Sequence, residues 1–220
     1  GEDNSLTTIH SGTTAPSDNN WASESGAVYI YTRNSSDQWE QQAYIKPDIT
    51  DINDQFGHSL SLHGNLLAVG AVQESSDETS INQYASDFGD NDLASNSGAV
   101  YVFSRTGGVW TQEAYIKAPD AIGADYFGYS VSLEGNKLAV GAPYEDSNVE
   151  GTTNSPSSDM SSLASGAVYV FKRTGTSWAY ESYIKPEMNI LGMQFGTSVS
   201  LKGETMVIGA HRENNLTTSL

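Results

Sequence analysis

The chain has 220 residues, no cysteine, and 10 Lys and Arg against 27 Asp and Glu, a formal charge of −17. A field of that sign opposes nucleic acid and anionic membranes and favours cations or basic partner surfaces; an acidic coat that serves solubility is the other reading. Disulfides are excluded but an extracellular home is not, and no apolar run approaches the roughly 20 residues of a membrane helix.

In chain order, a polar start, Glu2-Asp-Asn-Ser-Leu-Thr-Thr8, leads through Asp18 and Asn19 to Trp21; it opens at Gly1, as a processed, tagged or excised segment does. Strand patterning begins at Ser25-Gly-Ala-Val-Tyr29 and returns over 39–46, with the glycosylation sequon Asn34-Ser-Ser36 between. Asp51 and Asp54 precede Phe56-Gly57, and a turn at Leu62-His-Gly-Asn65 leads to Val69-Gly-Ala71. Residues 72–96 are polar and carry Glu74, Asp77, Asp87, Asp90 and Asp92. Gly98-Ala-Val-Tyr-Val-Phe103 is apolar on both faces, as a doubly covered strand is, and turns at Arg105-Thr-Gly-Gly108 to return over 110–117. Asp120 and Asp125 precede Phe127-Gly-Tyr-Ser-Val-Ser-Leu133. There Phe127, Tyr129, Val131 and Leu133 fall on one face and Gly128, Ser130 and Ser132 on the other, the period of a β-strand. A Glu134-Gly-Asn-Lys137 turn gives Leu138-Ala-Val-Gly-Ala142. A second polar stretch, 143–164, holds Glu145, Asp146, Asn148, Glu150 and Asp159. Ser165-Gly-Ala-Val-Tyr169, the return over 178–185, Phe195-Gly196 and Ile208-Gly-Ala210 close the series; Glu213-Asn-Asn-Leu-Thr-Thr218 follows, with a second sequon at Asn215. No stretch shows helical periodicity or caps.

The Ser-Gly-Ala-Val-Tyr motif recurs at spacings of 72 and 68, and the Phe-Gly and Gly-Ala motifs at 71 and 68. A fixed period marks one supersecondary unit that must stack on copies of itself. Four antiparallel strands per unit, stacked through both faces, predict an all-β fold of β-propeller blades; a β-solenoid is the alternative, with shorter coils. With A the Phe-Gly strand, the single array over 1–220 reads CD, ABCD, ABCD, AB. Two blades are complete, about 56–117 and 127–185, and one is split between 26–46 and 195–210. Glu2–Thr8 and Glu213–Thr218 occupy the same loop position, so the ends overlap in register. Three blades cannot close a ring, and open edges template aggregation. Either two chains close a six-bladed ring by completing each other's split blade, or the chain belongs to a longer propeller.

Phe127-Gly128, Gly141-Ala-Pro143 and the Gly-Ala-Val-Tyr-Val-Phe strand resemble the FG-GAP repeat, the blade of the integrin α-subunit head propeller. The bacterial-type repeats, with Glu-Asp-Ser after Gly-Ala-Pro, are more similar still. The other copies read Gly70-Ala-Val72 and Gly209-Ala-His211, so the proline is not general. The resemblance implies an extracellular or cell-surface propeller with protein or matrix ligands. The family's Asp-x-Asp-x-Asp-Gly calcium loop between the first two strands is absent: the turns here are Leu62-His-Gly-Asn65, Leu133-Glu-Gly-Asn-Lys137 and Leu201-Lys-Gly-Glu204.

Loops as long as 72–96 and 143–164 are functional or disordered. Their acids, with Glu2 and Asp3, offer the hard oxygens calcium needs, and Glu74, Asp77, Asp90, Asp92, Glu145, Asp146 and Asp159 complete the candidate set. A solvated acidic loop is the competing reading. The recurrent Glu-x-Ser or Glu-Asp-Ser start points to a position-specific role. The acids before each Phe-Gly tie down the turn between blades, and the third copy, with Met188, Asn189 and Met193, dispenses with them. Trp39, Trp110 and Trp178 recur beside Tyr44, Tyr115 and Tyr183 and read as packing rather than sugar platforms. Trp21 stands outside the pattern and is the candidate contact residue.

Catalysis finds little support. The four histidines share no repeat position and make no metal spacing, and Gly128-Tyr-Ser130 lacks the closing glycine of a nucleophile elbow. Paired loop carboxylates leave glycoside chemistry open on residue types alone. The expectation is a non-catalytic extracellular binding or adhesion module, calcium-dependent through its loops, that takes a protein or glycan ligand and self-associates by blade completion. A carbohydrate-binding propeller and a structural subunit linked through the split blade are the alternatives.

Overall fold

The computed structural model describes residues 10–11, 22–49, 51–84 and 91–214. Every element among them is a strand, and every sheet is antiparallel. The first sheet orders β1 (His10–Ser11), β3 (Trp39–Ile45) and β2 (Val28–Arg33). The second runs β4 (Phe56–His63), β5 (Leu66–Ala71), β7 (Ala99–Thr106), β8 (Val109–Ile116) and β6 (Ile81–Asn82). The third runs β9 (Ser130–Glu134), β10 (Lys137–Ala142), β12 (Ala167–Thr174), β13 (Ser177–Ile184) and β11 (Thr152–Thr153). The fourth is the pair β14 (Phe195–Lys202) and β15 (Thr205–Ala210). This is the β-propeller-like arrangement that the repeats predict.

Local sequence explains the hairpins. β7 and β8 join through Gly107 and Gly108, both at positive φ, which a two-residue turn requires if the strands are to keep their twist. The central strands are apolar on both faces because both faces are covered: all six residues of β5 are buried, as are the first five of β7 and β12. Phe56 packs edge-on against Tyr101 and Phe103, and Phe127 does the same against Tyr169 and Phe171.

Two expectations change. Each complete sheet has five strands rather than four, because Ile81–Asn82 and Thr152–Thr153, drawn from the long loops, pair with the outer strand. The Phe-Gly strand also does not alternate from its first residue. Phe56 opposes Ala71 but the next partner, Ser59, opposes Gly70, so Gly57 and His58 lie in a register shift; Phe195 and Ser198 show the same. In the middle copy the ladder starts only at Ser130. Gly57, Gly128 and Gly196, at φ of 98°, 88° and 89°, make the shift accessible.

Sheets stack through repeated backbone and side-chain contacts. Phe56, Phe127 and Phe195 donate their N–H to the carbonyls of Ser25, Ser97 and Ser165, each at 2.9 Å. On the innermost strands, the Ser59 hydroxyl donates to the Gly128 carbonyl at 2.7 Å and the Ser130 hydroxyl to Gly196 at 2.8 Å. Leu133 and Leu201 donate their N–H to the hydroxyls of Ser61 and Ser132, both at 2.8 Å.

Candidate functional site at the loop roots

Each long loop leaves the end of an inner strand and returns to a central one, and a buried lysine holds its two roots together. Lys117 is fully buried at the end of β8. Its ammonium pairs with the Glu74 carboxylate and donates to the Ser97 hydroxyl at 2.7 Å. Glu74 also accepts from the Tyr115 hydroxyl at 2.9 Å and from the Ser76 N–H at 3.1 Å. Its carbonyl accepts from Gly98 N–H at 2.8 Å. One repeat later Lys185 pairs with Glu145 at 2.5 Å and donates to the Ser165 hydroxyl at 2.7 Å. Gly166 N–H donates to the Glu145 carbonyl at 2.9 Å, and the Ser147 and Tyr183 hydroxyls bond at 2.7 Å. In the first sheet Lys46 donates to the Ser25 hydroxyl at 2.7 Å. Burial pulls the Lys117 and Lys185 ammoniums below the lysine range, and the facing carboxylates offset part of that.

The acids that precede each Phe-Gly converge on the same place. Burial, with Glu74 nearby, raises Asp54 to about 7; burial, with Glu145, Asp120 and Asp146 nearby, raises Asp125 to about 9. Asp120, raised to about 6 by burial, accepts from the Tyr169 hydroxyl at 2.9 Å. Asp54 accepts from Asp51 N–H at 3.2 Å, the turn contact expected of it. The Asp125 Oδ2 is buried with no partner among the described residues. In the third copy Met193 fills the position, buried, and the Asn189 amide donates to the Ser147 carbonyl at 2.8 Å. Two acidic sets that look separate in sequence are therefore one cluster per junction, with a lysine at its centre. The lysine is the residue that sequence reasoning missed. Its signal was recurrence: Lys46, Lys117 and Lys185 share one repeat position in a chain poor in cations.

The remaining candidates lie apart. Asp77 and Asp92 are exposed, and Asp77 N–H bonds the Asn91 side chain at 3.2 Å. Asp146 accepts from Ala164 N–H at 2.7 Å, and Asp159 accepts the Ser161 N–H and hydroxyl, both at 3.0 Å. No three acidic or histidine side chains among the described residues converge to hold a metal ion. Glu2, Asp3, Asp90, Trp21 and Asn215 lie outside the described residues. Asn34 caps its own turn: its carbonyl oxygen accepts from Ser36 and Gln38 N–H at 2.9 and 3.0 Å, and its amide donates to Glu40 at 2.5 Å. Trp110 and Trp178 are buried as packing residues at 3 and 7% exposure, whereas Trp39 is 67% exposed.

A family model for the FG-GAP repeat matches residues 39–103, 110–171 and 191–219. The chain belongs to the FG-GAP repeat family. The first two FG-GAP matches begin at the recurrent tryptophans 39 and 110 and end in the apolar strands β7 and β12, so each spans the end of one sheet and the start of the next. No curated protein matches the chain. No helix among the described residues is long and apolar enough to cross a membrane.

Proposed function

We propose that this FG-GAP chain is a non-catalytic extracellular or cell-surface binding module. Its sheets act as propeller blades, two complete and one split between the chain ends, and they present long acidic loops to a protein ligand. The observation that carries this reading is the buried lysine at the loop roots. A salt bridge and several charge-assisted hydrogen bonds, shielded from water, fix where the loop leaves and rejoins the scaffold. Such loops can vary at their tips without disturbing the core, which is how binding residues are usually mounted on rigid folds.

The test replaces residues 154–161, outside the Glu145–Lys185 root, with a Gly-Ser linker. Parent and variant are screened against matrix proteins, with calcium and with chelator. Unchanged circular dichroism with loss of a bound protein supports the reading; binding that survives the replacement overturns it. Loss of binding in chelator would assign the calcium dependence that the acidic loops invite.

Carbohydrate binding is a second reading, supported by a cleft of about 470 Å³ between the two complete sheets. Asn82, Gln83, Thr111 and Ser177 line it, the hydroxyl and amide mixture that can hydrogen-bond a sugar. A glycan array run beside the protein panel separates the two.

A further inference from the structure

The contacts between stacked sheets are written twice inside the chain, and among the described residues they are half-made on the first and fourth sheets. At the rim, Trp110 donates to Gln42 at 3.2 Å and Arg105 joins it at 3.3 Å. One repeat later Trp178 donates to Glu113 at 3.0 Å, and Arg173 grips both carboxylate oxygens at 2.6 Å. The next acceptor in this series is Glu181, on the outer face of the third sheet; the corresponding donors are Trp39 and Arg33, on the first, where Arg33 pairs with the exposed Asp37 of its own turn at 2.5 Å. At the inner strands the series Ser59 to Gly128 and Ser130 to Gly196 continues to Ser198, whose acceptor would be Gly57. The series Leu133 to Ser61 and Leu201 to Ser132 continues to Ser200, whose donor would be Leu62.

Among the described residues, nothing sits where these partners would be. Ser198 and Ser200 are exposed, and so are Leu60 at 54% and Leu62 at 63%, although their counterparts Val131 and Leu133 are buried between sheets. A Cβ on Gly70 or Gly141 would lie 2.1 or 2.0 Å from the carbonyl oxygen of Gly128 or Gly196 in the next sheet. At Gly209 all three nearest atoms belong to its own hairpin partner, Ser198. β15 and β2 each end their sheet with one unpaired edge among the described residues.

We propose that a second copy of this chain docks head to tail across these two ends. β15 pairs antiparallel with β2 of the second copy, with Ala210 opposite Ala27 and Thr205 opposite Thr32. That is the register by which Ala71 opposes Ala99 and Ala142 opposes Ala167. Glu181 takes Trp39 and Arg33, which gives up its exposed pair with Asp37 for a less exposed one; the Ser198 hydroxyl donates to the Gly57 carbonyl, and Ser200 accepts from Leu62 N–H. The occupant follows from continuity with an interface the chain already makes twice, and from charge, since one end carries the carboxylate and the other the guanidinium. The head is already shaped for it: Arg33 lies over the Trp39 ring at 5.7 Å, as Arg105 lies over Trp110 at 5.3 Å. Two such contacts related by a two-fold axis close six blades. The inference rests on the propeller reading of the sheets but not on any ligand.

The test uses light scattering and a disulfide trap in this cysteine-free chain. A mass near twice 23.6 kDa is expected. Oxidised Thr32→Cys/Thr205→Cys should migrate as a covalent dimer, and the off-register pair Thr32→Cys/Met206→Cys should not. Glu181→Lys, at a surface position, should reduce the mass to that of a monomer, and Arg33→Glu in the same chain should restore the dimer. A monomer at every concentration, a disulfide closed within one chain, or a dimer indifferent to the charge swap would overturn the proposal. Ligand binding by a monomer would sink it and leave the binding module standing.

Discussion

At the scale of single residues, each junction sets one buried ammonium among several acids, and they cannot all ionise cheaply. Around Asp125 stand Glu145, Asp120 and Asp146, faced by the Lys185 ammonium. Glu145 takes the salt bridge, so Asp125 is left to burial and like charge and holds its proton up to about 9, against 3.8 for the ordinary group. The folded state then binds a proton that the unfolded chain has already lost. Stability that is complete below pH 4 therefore falls as pH rises towards 9; Asp54, raised to about 7, adds to the fall over the lower part of that range. Asp125→Asn keeps the shape and cannot ionise. Thermal melts from pH 4 to 9 should show a declining Tm for the parent and a clearly shallower decline for the variant. Parallel curves would mean that Asp125 is ionised throughout. Little of this was legible in sequence. The recurrent Glu-x-Ser start was visible, but a lysine at the end of a polar strand reads as solvated, and only the fold turns its side chain inward under a loop.

At the scale of elements, the stacking of sheets depends on glycines for two separable reasons. Gly98 has φ of +83°, and a Cβ there would lie 2.0 Å from the Phe127 carbonyl oxygen of the next sheet. Gly135, in the β9–β10 turn, has φ of +58° and open space around it. Alanine at Gly135 should cost only the left-handed backbone term, roughly 1–2 kcal/mol. Alanine at Gly98 adds a clash with rigid backbone and should cost at least twice as much, read as the difference in urea midpoints. Equal costs would show that the junction yields freely. The Ser-Gly-Ala-Val-Tyr repeat announced this glycine, and period-two patterning announced the buried strands, because both reflect constraints on the residue itself. The fifth strands were invisible for the opposite reason. Ile81–Asn82 and Thr152–Thr153 are too short to carry a period, and their pairing is set by where the loop root holds them against β8 and β13. The register shift at Phe56 was hidden in the same way, by a glycine that permits it without requiring it.

At the scale of the whole molecule, the sheets are unequal in what covers them. Among the described residues, the second and third sheets have a neighbour on each face, and the first and fourth have a neighbour on one. In a stacked array, stability is a sum of unit and nearest-neighbour terms, so units at the ends open first. The fourth sheet is a two-stranded hairpin, marginal without support, and its exposed Val207 marks the uncovered side. Amide exchange should therefore depend on concentration in a patterned way. In dilute solution the amides of β2 and β15 should exchange faster than those of β7 and β12 by about tenfold or more, since the central strands open only with the larger unit. As the chain is concentrated, protection should rise in β2 and β15 together, because each supplies the edge the other lacks, while β7 and β12 stay as they were. A rise in β15 alone would mean that something other than β2 covers that edge. Full protection of both strands at high dilution would mean that the chain closes its own ends.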